Sequence, residues 1–342
     1  MMKACQLTKI VVALGAMFAV CANTPVQASD LFVGSYGTDK ILRYDSVGNF
    51  LGDFASGGGL DGPTKFVFGP DSTGDGKPEF YVNSYLNDKV LRYNGVTGAF
   101  IDTFVTAGSG GLDGPEGLAF GPDGNLYVSS HFVDKVFRYN GTTGAYIDTF
   151  VTAGTGGIDN PRDLVFGPDN NLYVGNDGNK SVLRYNGSTG AAMPSPGNSG
   201  AIYASNGGTN FHRGLLFGAD GNLFVTTDEA GTGGVLRYEG PGGVNPGQLV
   251  DIFVAATNHV SIGIATGSDN NLYVATGLSN TVVRYNGTTG ALIGNYVTAG
   301  SGGLNNALYI AFEPVPEPAS IVLLALGFTC CSLRRRLRKS RP

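Results

Sequence analysis

Three histidines are the scarcest reactive side chains in this sequence: His131, His212 and His259. A neutral imidazole can take up a proton near pH 7 or offer a nitrogen to a metal, so each is a candidate general base or ligand. His212 stands in NFHRG beside Arg213, His259 in NHVSIG, and His131 in SSHFVDK. Asp177, Asp228 and Glu229 can supply carboxylates to such a site, and the last two belong to the inserted stretch TTDEAGTGG. His212, His259 and Glu229 are therefore the catalytic candidates. His131, Asp177, Arg213 and Asp228, with Tyr36 and Tyr85, are candidate ligand contacts, and the two tyrosines can stack on sugar rings or wedge between structural units.

A second set of oxygens lies in PDSTGDGKPEF. Asp71, Thr73, Asp75, the Lys77 carbonyl and Glu79 fall at positions 1, 3, 5, 7 and 9, with Gly76 at the turn. Alternate-position oxygens of this kind wrap a calcium ion. Thr73 at the third position and the lack of a bidentate Glu at the twelfth depart from that pattern, and an ordinary solvated turn is the other reading. Any calcium here would be structural.

These residues are carried by one sentence written six times. Its clearest copy is GPDGNLYVSSHFVDKVFRYNGTTGAYIDTFVTAG, residues 121–154. The Arg-Tyr pair recurs at Arg43, Arg92, Arg138, Arg184, Arg237 and Arg284, at intervals of 46 to 53 residues. Such a period suits a four-stranded blade. Each copy reads as strand (GLAF), tight turn (GPDG), strand (NLYVSS), strand (KVFRYN), turn (NGTTG) and outer strand (AYIDTFV). Recurrence of Arg and Tyr in every copy points to bonding between strands. The sequons at Asn140, Asn186 and Asn286 sit where Asn-Gly is wanted for hairpin geometry, so they read as turns.

The first copy starts at its second strand, LFVGSYG, and the last ends with a first strand, ALYIAFEP. Joined side by side, the two ends complete one blade. The expectation is an all-β, six-bladed β-propeller over residues 29–314, with its ring closed by pairing the first and last strands. Loops from outer to next inner strand, and from second to third strand, then share one face. All three histidines fall on that face, with the 71–79 turn on the opposite one.

The pattern P-x-G-L-x-F-G-P-D-G-N-L-Y-V followed by V-x-R-Y-N-G-x-T-G resembles the NHL-repeat propellers, which include gluconolactonase-like and streptogramin-lyase-like enzymes. The resemblance covers about residues 30–314 and implies the fold more firmly than an activity. The copies SSHFVDK, NSYLNDK and GSYGTDK depart from the Asp and Asn that usually follow LYV in that family. Lactonase and lyase members place their metal or base at the channel mouth, but their Glu/Asn/Asp set does not map residue by residue onto this chain.

The two ends have their own signatures. Residues 1–28 have a basic start (Lys3, Lys9), an apolar run and the small-x-small site Val26-Gln27-Ala28, the layout of a secretory signal cleaved between Ala28 and Ser29. Residues 315–342 open with Val315, Pro316, Glu317 and Pro318, continue with about fifteen apolar residues and end in an arginine cluster. A helix of that length spans about 22 Å, against a hydrocarbon core of about 30 Å. This order of parts resembles the PEP-CTERM sorting signal of exosortase-bearing Gram-negative bacteria. The resemblance implies transient inner-membrane insertion, arginines held inside, removal by exosortase, and a destination at the envelope, surface or extracellular matrix. A permanent anchor is the alternative.

Composition limits the partners. All four cysteines (Cys5, Cys21, Cys330 and Cys331) lie in the end segments, so the body has no disulfides. Eight of the 22 basic residues and one of the 27 acids, Glu317, lie in those segments, and removing them from a net charge of −5 leaves −12 for the remainder. So acidic a body argues against nucleic acid and anionic membrane surfaces. The expected function is a binding or scaffolding module for exopolysaccharide or a surface protein. The alternative is a metal-dependent lactonase-like or lyase-like enzyme at the channel mouth.

Overall fold

The computed structural model describes residues 29–205, 212–228, 233–255 and 262–314, and of His212 the backbone only. Residues 1–28 and 315–342, expected to be a leader and a sorting signal, lie outside the described residues. So do His259, Glu229 and the sorting motif Val315 to Pro318. Among the described residues no helix is long and apolar enough to cross a membrane.

Six four-stranded antiparallel sheets form six blades arranged in a ring. Their inner strands are Ala307–Phe312, Pro63–Phe68, Pro115–Phe120, Pro161–Phe166, His212–Phe217 and Ile264–Thr266, for blades 1 to 6. Blade 1 is completed by Leu31–Ser35, Lys40–Tyr44 and Phe50–Ala55, and Leu31 pairs with Phe312 where the chain ends meet. The expected ring closure is therefore present. Closure in this form leaves no inner strand unpaired.

The repeated residues explain the packing. Each second strand is buried along its length and carries an aromatic as its second residue, as in Leu126–Ser130. Tyr127 meets Phe150 of its own outer strand and Phe166 of the next inner strand edge-on, at 4.8 and 4.9 Å. Tyr173 does the same with Tyr203 and Phe217, and Tyr273 with Tyr296 and Phe312. Edge-to-face pairs of this kind add about 0.5–1.5 kcal/mol each beyond the area they bury. Arg138 lies 5.2 Å over Phe150 and binds Asp148 at 2.6 Å, while Tyr139 donates to the Ser109 carbonyl. The repeated Arg-Tyr pair is thus bonding between strands and between blades. Asn140 Oδ1 accepts from the Thr142 and Thr143 amides, so this sequon is a turn.

Blade 4 departs from the rule. Between Tyr185 and its outer strand Ile202–Ser205 the chain makes a long excursion through Pro194 and Pro196. Arg184 there bonds the Met193 and Pro194 carbonyls instead of an outer-strand aspartate.

Candidate functional site

The loops on the upper face are locked to one another before any ligand is considered. After the second strands of blades 1, 2, 3 and 6 the chain makes a short turn ending in a residue at positive φ: Asp39, Asp88, Asp134 or Asn280. Their side-chain oxygens accept from the amides of Gly62, Gly114, Asn160 and Asn306 in the loop entering the next blade, at 2.5–2.8 Å. Aspartate and asparagine tolerate this backbone better than most residues, and here they also latch blade to blade.

The first residue of that turn takes the same place in every blade: Tyr36, Tyr85, His131, Asp177, Asp228 and Gly277. Beside it stands the second residue of the next inner strand, Thr64, Glu116, Arg162, Arg213 or Leu308, or, before the shorter inner strand of blade 6, Ile262. The upper face is consequently divided. Blades 1 to 3 present aromatic and apolar side chains, and blades 3 to 5 present charges.

On the aromatic side, the ring centroids of Tyr36 and Tyr85 lie 6.4 Å apart, and those of Tyr85 and Phe132 5.7 Å. Phe132 and Leu86 are more than half exposed. Gly62 and Gly114 lie beneath them at positive φ. A Cβ on Gly114 would stand 2.7 Å from Phe132 and 3.2 Å from Tyr85, so glycine is required for the rings to lie down. The tyrosines therefore wedge between blades while keeping a partly open face. Burial, aided by Glu116, raises the Tyr85 pKa to about 12, so its hydroxyl stays protonated.

On the charged side a chain of alternating sign crosses three blades. Arg162 binds Glu116 at 2.5 Å and Asp177 at 2.6 Å; Arg213 reaches the same Asp177 oxygen at 3.4 Å and pairs closely with Asp228. Burial raises the pKa of Glu116 and of Asp228, against the pull of the arginines. Burial also works against the charge of Arg162, but Glu116 and Asp177 more than offset it and its pKa rises. His131, about nine-tenths buried, borders this chain. Desolvation first, and then Arg162, push its pKa down to about 4, so the imidazole is neutral at pH 7. Three buried atoms here have no hydrogen-bonding partner among the described residues: Asp177 Oδ1, Asp228 Oδ1 and His131 Nδ1.

Below the mouth the channel is braced. Lys65 of blade 2 reaches across to Asp163 of blade 4 at 2.9 Å and lies 5.0 Å from the centre of the Tyr309 ring of blade 1. Asp163, almost fully buried, also accepts from the amides of Leu164 and Leu215.

Of the sequence-level candidates, the structure brings Asp177, Arg213, Asp228 and His131 together and sets Tyr36 and Tyr85 beside them. The His212 backbone pairs with Thr227 at the upper end of the blade 5 inner strand, next to Arg213. Glu116, Arg162, Lys65, Asp163 and Tyr309 were missed. Their signal was the register of the inner strands, PTKF, PEGL, PRDL and ALYI, where polar residues interrupt an apolar pattern.

In the 71–79 turn, Asp71 accepts from the Gly74 and Gly76 amides, Glu79 from those of Ser72 and Thr73, and Asp75 from that of Lys77. An ion would share the Asp71 and Glu79 oxygens with these amides. Among the described residues no three His, Cys, Asp or Glu side chains come close enough to hold a metal together.

Comparison with known proteins agrees with the fold. The family model described as Strictosidine synthase-like, N-terminal, matches residues 103–131, part of one blade and the start of the next. No curated protein matches the sequence. Among solved structures, a chain of a nidogen/laminin complex superposes with a TM-score of 0.64 at 15% identity, covering 84% of this chain and 99% of that one. A catalytically inactive virginiamycin B lyase from Staphylococcus aureus with quinupristin gives 0.55 at 14% identity, with 85% and 94% covered. A putative gluconolactonase gives 0.51 at 14%, with 69% and 78% covered. At these identities the likeness shows the propeller alone. The architecture has served both binding and catalysis.

Proposed function

We propose that this chain is an exported propeller that binds a component of the cell envelope or extracellular matrix on its upper face. The observation that carries the reading is the division of that face, an exposed aromatic strip running into a buried chain of charges. Aromatic side chains offer large contact area at small entropic cost, and fixed polar groups set orientation. The nidogen/laminin neighbour is consistent with a propeller acting through a surface. Export, transient inner-membrane insertion and processing by exosortase belong to the same proposal and rest on the leader and tail sequences. Calcium in the 71–79 turn is a separate structural proposal, resting on its oxygen spacing.

Residues 29–314 form a complete ring and suit a direct test. The purified propeller is incubated with washed matrix from a strain lacking the protein, and co-sedimentation is measured for the natural sequence and for Phe132→Ser with Tyr85→Ala. Retention of the natural propeller and its loss in the double variant support the module. Equal retention, or none, refutes it. An enzyme is the second reading, favoured by the place of His212 beside Arg213 and by the lyase and gluconolactonase neighbours. It requires turnover of a lactone or streptogramin substrate that His212→Ala abolishes.

A further inference from the structure

One joint between blades lacks two parts that the others have. At the remaining five joints, the aromatic of the second strand meets the phenylalanine that ends the next inner strand, with ring centres 4.8–5.5 Å apart. Between blades 5 and 6 that phenylalanine is replaced by Thr266, which pairs with Leu272 as Phe217 pairs with Leu223 and Phe166 with Leu172. Phe224 keeps the ring of Phe253 in its own blade at 4.9 Å, but meets no ring of blade 6 among the described residues. A hydroxyl is missing as well. Tyr127, Tyr173 and Tyr273 each donate to the aspartate of the preceding turn at 2.9–3.0 Å, with a third-strand arginine beside the same hydroxyl. Phe224 has none to offer Asp220 or Arg237.

The backbone keeps the outline of the absent ring. A Cβ on Gly121 or Gly167 would stand 3.0 or 3.1 Å from the phenylalanine of the next inner strand. On Gly218, the matching residue of blade 5, its three nearest neighbours would be atoms of Asp220 and Phe224 alone. Both vacated places open into one cavity of about 280 Å³, on the side away from the upper face, whose lining includes Phe224, Leu272, Thr266, Asp220 and Arg237. An apolar cavity of about 150 Å³ already admits benzene, so this one has room for a ring and a substituent. Side chains around a void forgo the contacts that an occupant would restore.

We infer that this cavity binds a single phenolic ring, which lies against Phe224 where the repeat elsewhere places phenylalanine and donates its hydroxyl to Asp220, with Arg237 beside it. The occupant thus supplies the two groups that the other joints draw from the chain itself. The cavity is remote from Tyr85 and Phe132, so this site and the matrix-binding reading can fail separately.

The test uses the ring formed by residues 29–314 with p-cresol, toluene and p-toluate as probes, read by saturation-transfer NMR and thermal unfolding. p-Cresol should bind with a Kd of about 1 mM or below, and toluene about tenfold more weakly for want of the hydroxyl. Thr266→Phe restores the ring of the repeat and should abolish binding without lowering Tm, which separates loss of the site from loss of the fold. Asp220 is exposed, and Asp220→Asn should weaken p-cresol about fivefold while leaving toluene unchanged. N-acetyltyrosinamide distinguishes two sources of the same chemistry. If it binds as p-cresol does, the site takes a tyrosine side chain; if p-cresol alone binds, it takes a free phenol, and either result upholds the phenolic ring. Binding of p-cresol that survives Thr266→Phe, toluene or p-toluate binding as tightly as p-cresol, or no binding of p-cresol overturns the inference.

Discussion

Replacing Asp163 by alanine tests whether the brace across the channel holds the ring. Its carboxylate joins three blades, taking Lys65 from blade 2, lying in blade 4 and accepting the Leu215 amide of blade 5. Removing it leaves a largely buried lysine without its anion and two amides without acceptors. Breaking a buried pair typically costs about 3–5 kcal/mol, and each orphaned amide about 1–3 more. These losses overlap because they share one side chain, so about 4 kcal/mol is a reasonable expectation. For a domain near this size 1 kcal/mol moves Tm by about 2–4 °C, giving a fall of about 8–16 °C. Lys40 and Asp53 provide the control: they approach to 2.6 Å, but each is 40% exposed. Asp53→Ala should cost about 0–1 kcal/mol. Urea and thermal unfolding of both variants, with Lys65→Met completing a double-mutant cycle, make the comparison. A Tm loss in Asp163→Ala no larger than that in Asp53→Ala would refute the reasoning, because burial is what separates the two pairs.

Four further outcomes follow, three from the upper face and one from the 71–79 turn. His131 has its pKa lowered from 6.5 to about 4, so the unfolded chain binds more protons between those values. Stability should be fully present above pH 6.5 and fall as pH drops towards 4, by about 1–2 kcal/mol in this polar setting, and His131→Phe should flatten that slope in pH-dependent urea titrations. Arg162→Met strands Glu116 and Asp177; at pH 7 it should cost about 3 kcal/mol. Because burial raises the Glu116 pKa, that cost should shrink as pH falls and Glu116 takes up a proton, which unfolding measured across a pH series would show. Phe132→Ser should change Tm by less than about 3 °C while reducing matrix retention, since the ring is mostly exposed. If calcium occupies the 71–79 turn, chelation should lower Tm and Asp75→Asn should erase the difference; equal Tm with and without chelator removes the ion.

The architecture was readable from the sequence because each copy repeats the same side chains for the same packing reason. The truncated ends, LFVGS and ALYIAF, even revealed which blade is shared. The site was only half readable. Asp228 stood out in the inserted stretch TTDEAGTGG, and His131, Asp177 and Arg213 stood out as ionisable side chains able to serve a base or a ligand. Glu116 and Arg162 did not, because PEGL and PRDL look like ordinary loop-to-strand sequence until the ring sets them side by side. The Lys65–Asp163 contact joins residues 98 positions apart, and no local pattern announces it.

Blade 1 also determines which way the molecule looks. Its inner strand runs downward from Ala307 to Phe312 while its second strand runs upward from Leu31 to Ser35, and the Glu313 amide bonds the Asp30 carbonyl where they meet. Arg43 clasps both Asp30 and Glu313 at that spot. The described chain thus enters and leaves through one doorway, on the side away from Tyr85, Phe132 and the charges. Anything that moors the protein through either end holds it by the back, and the mouth is turned outward.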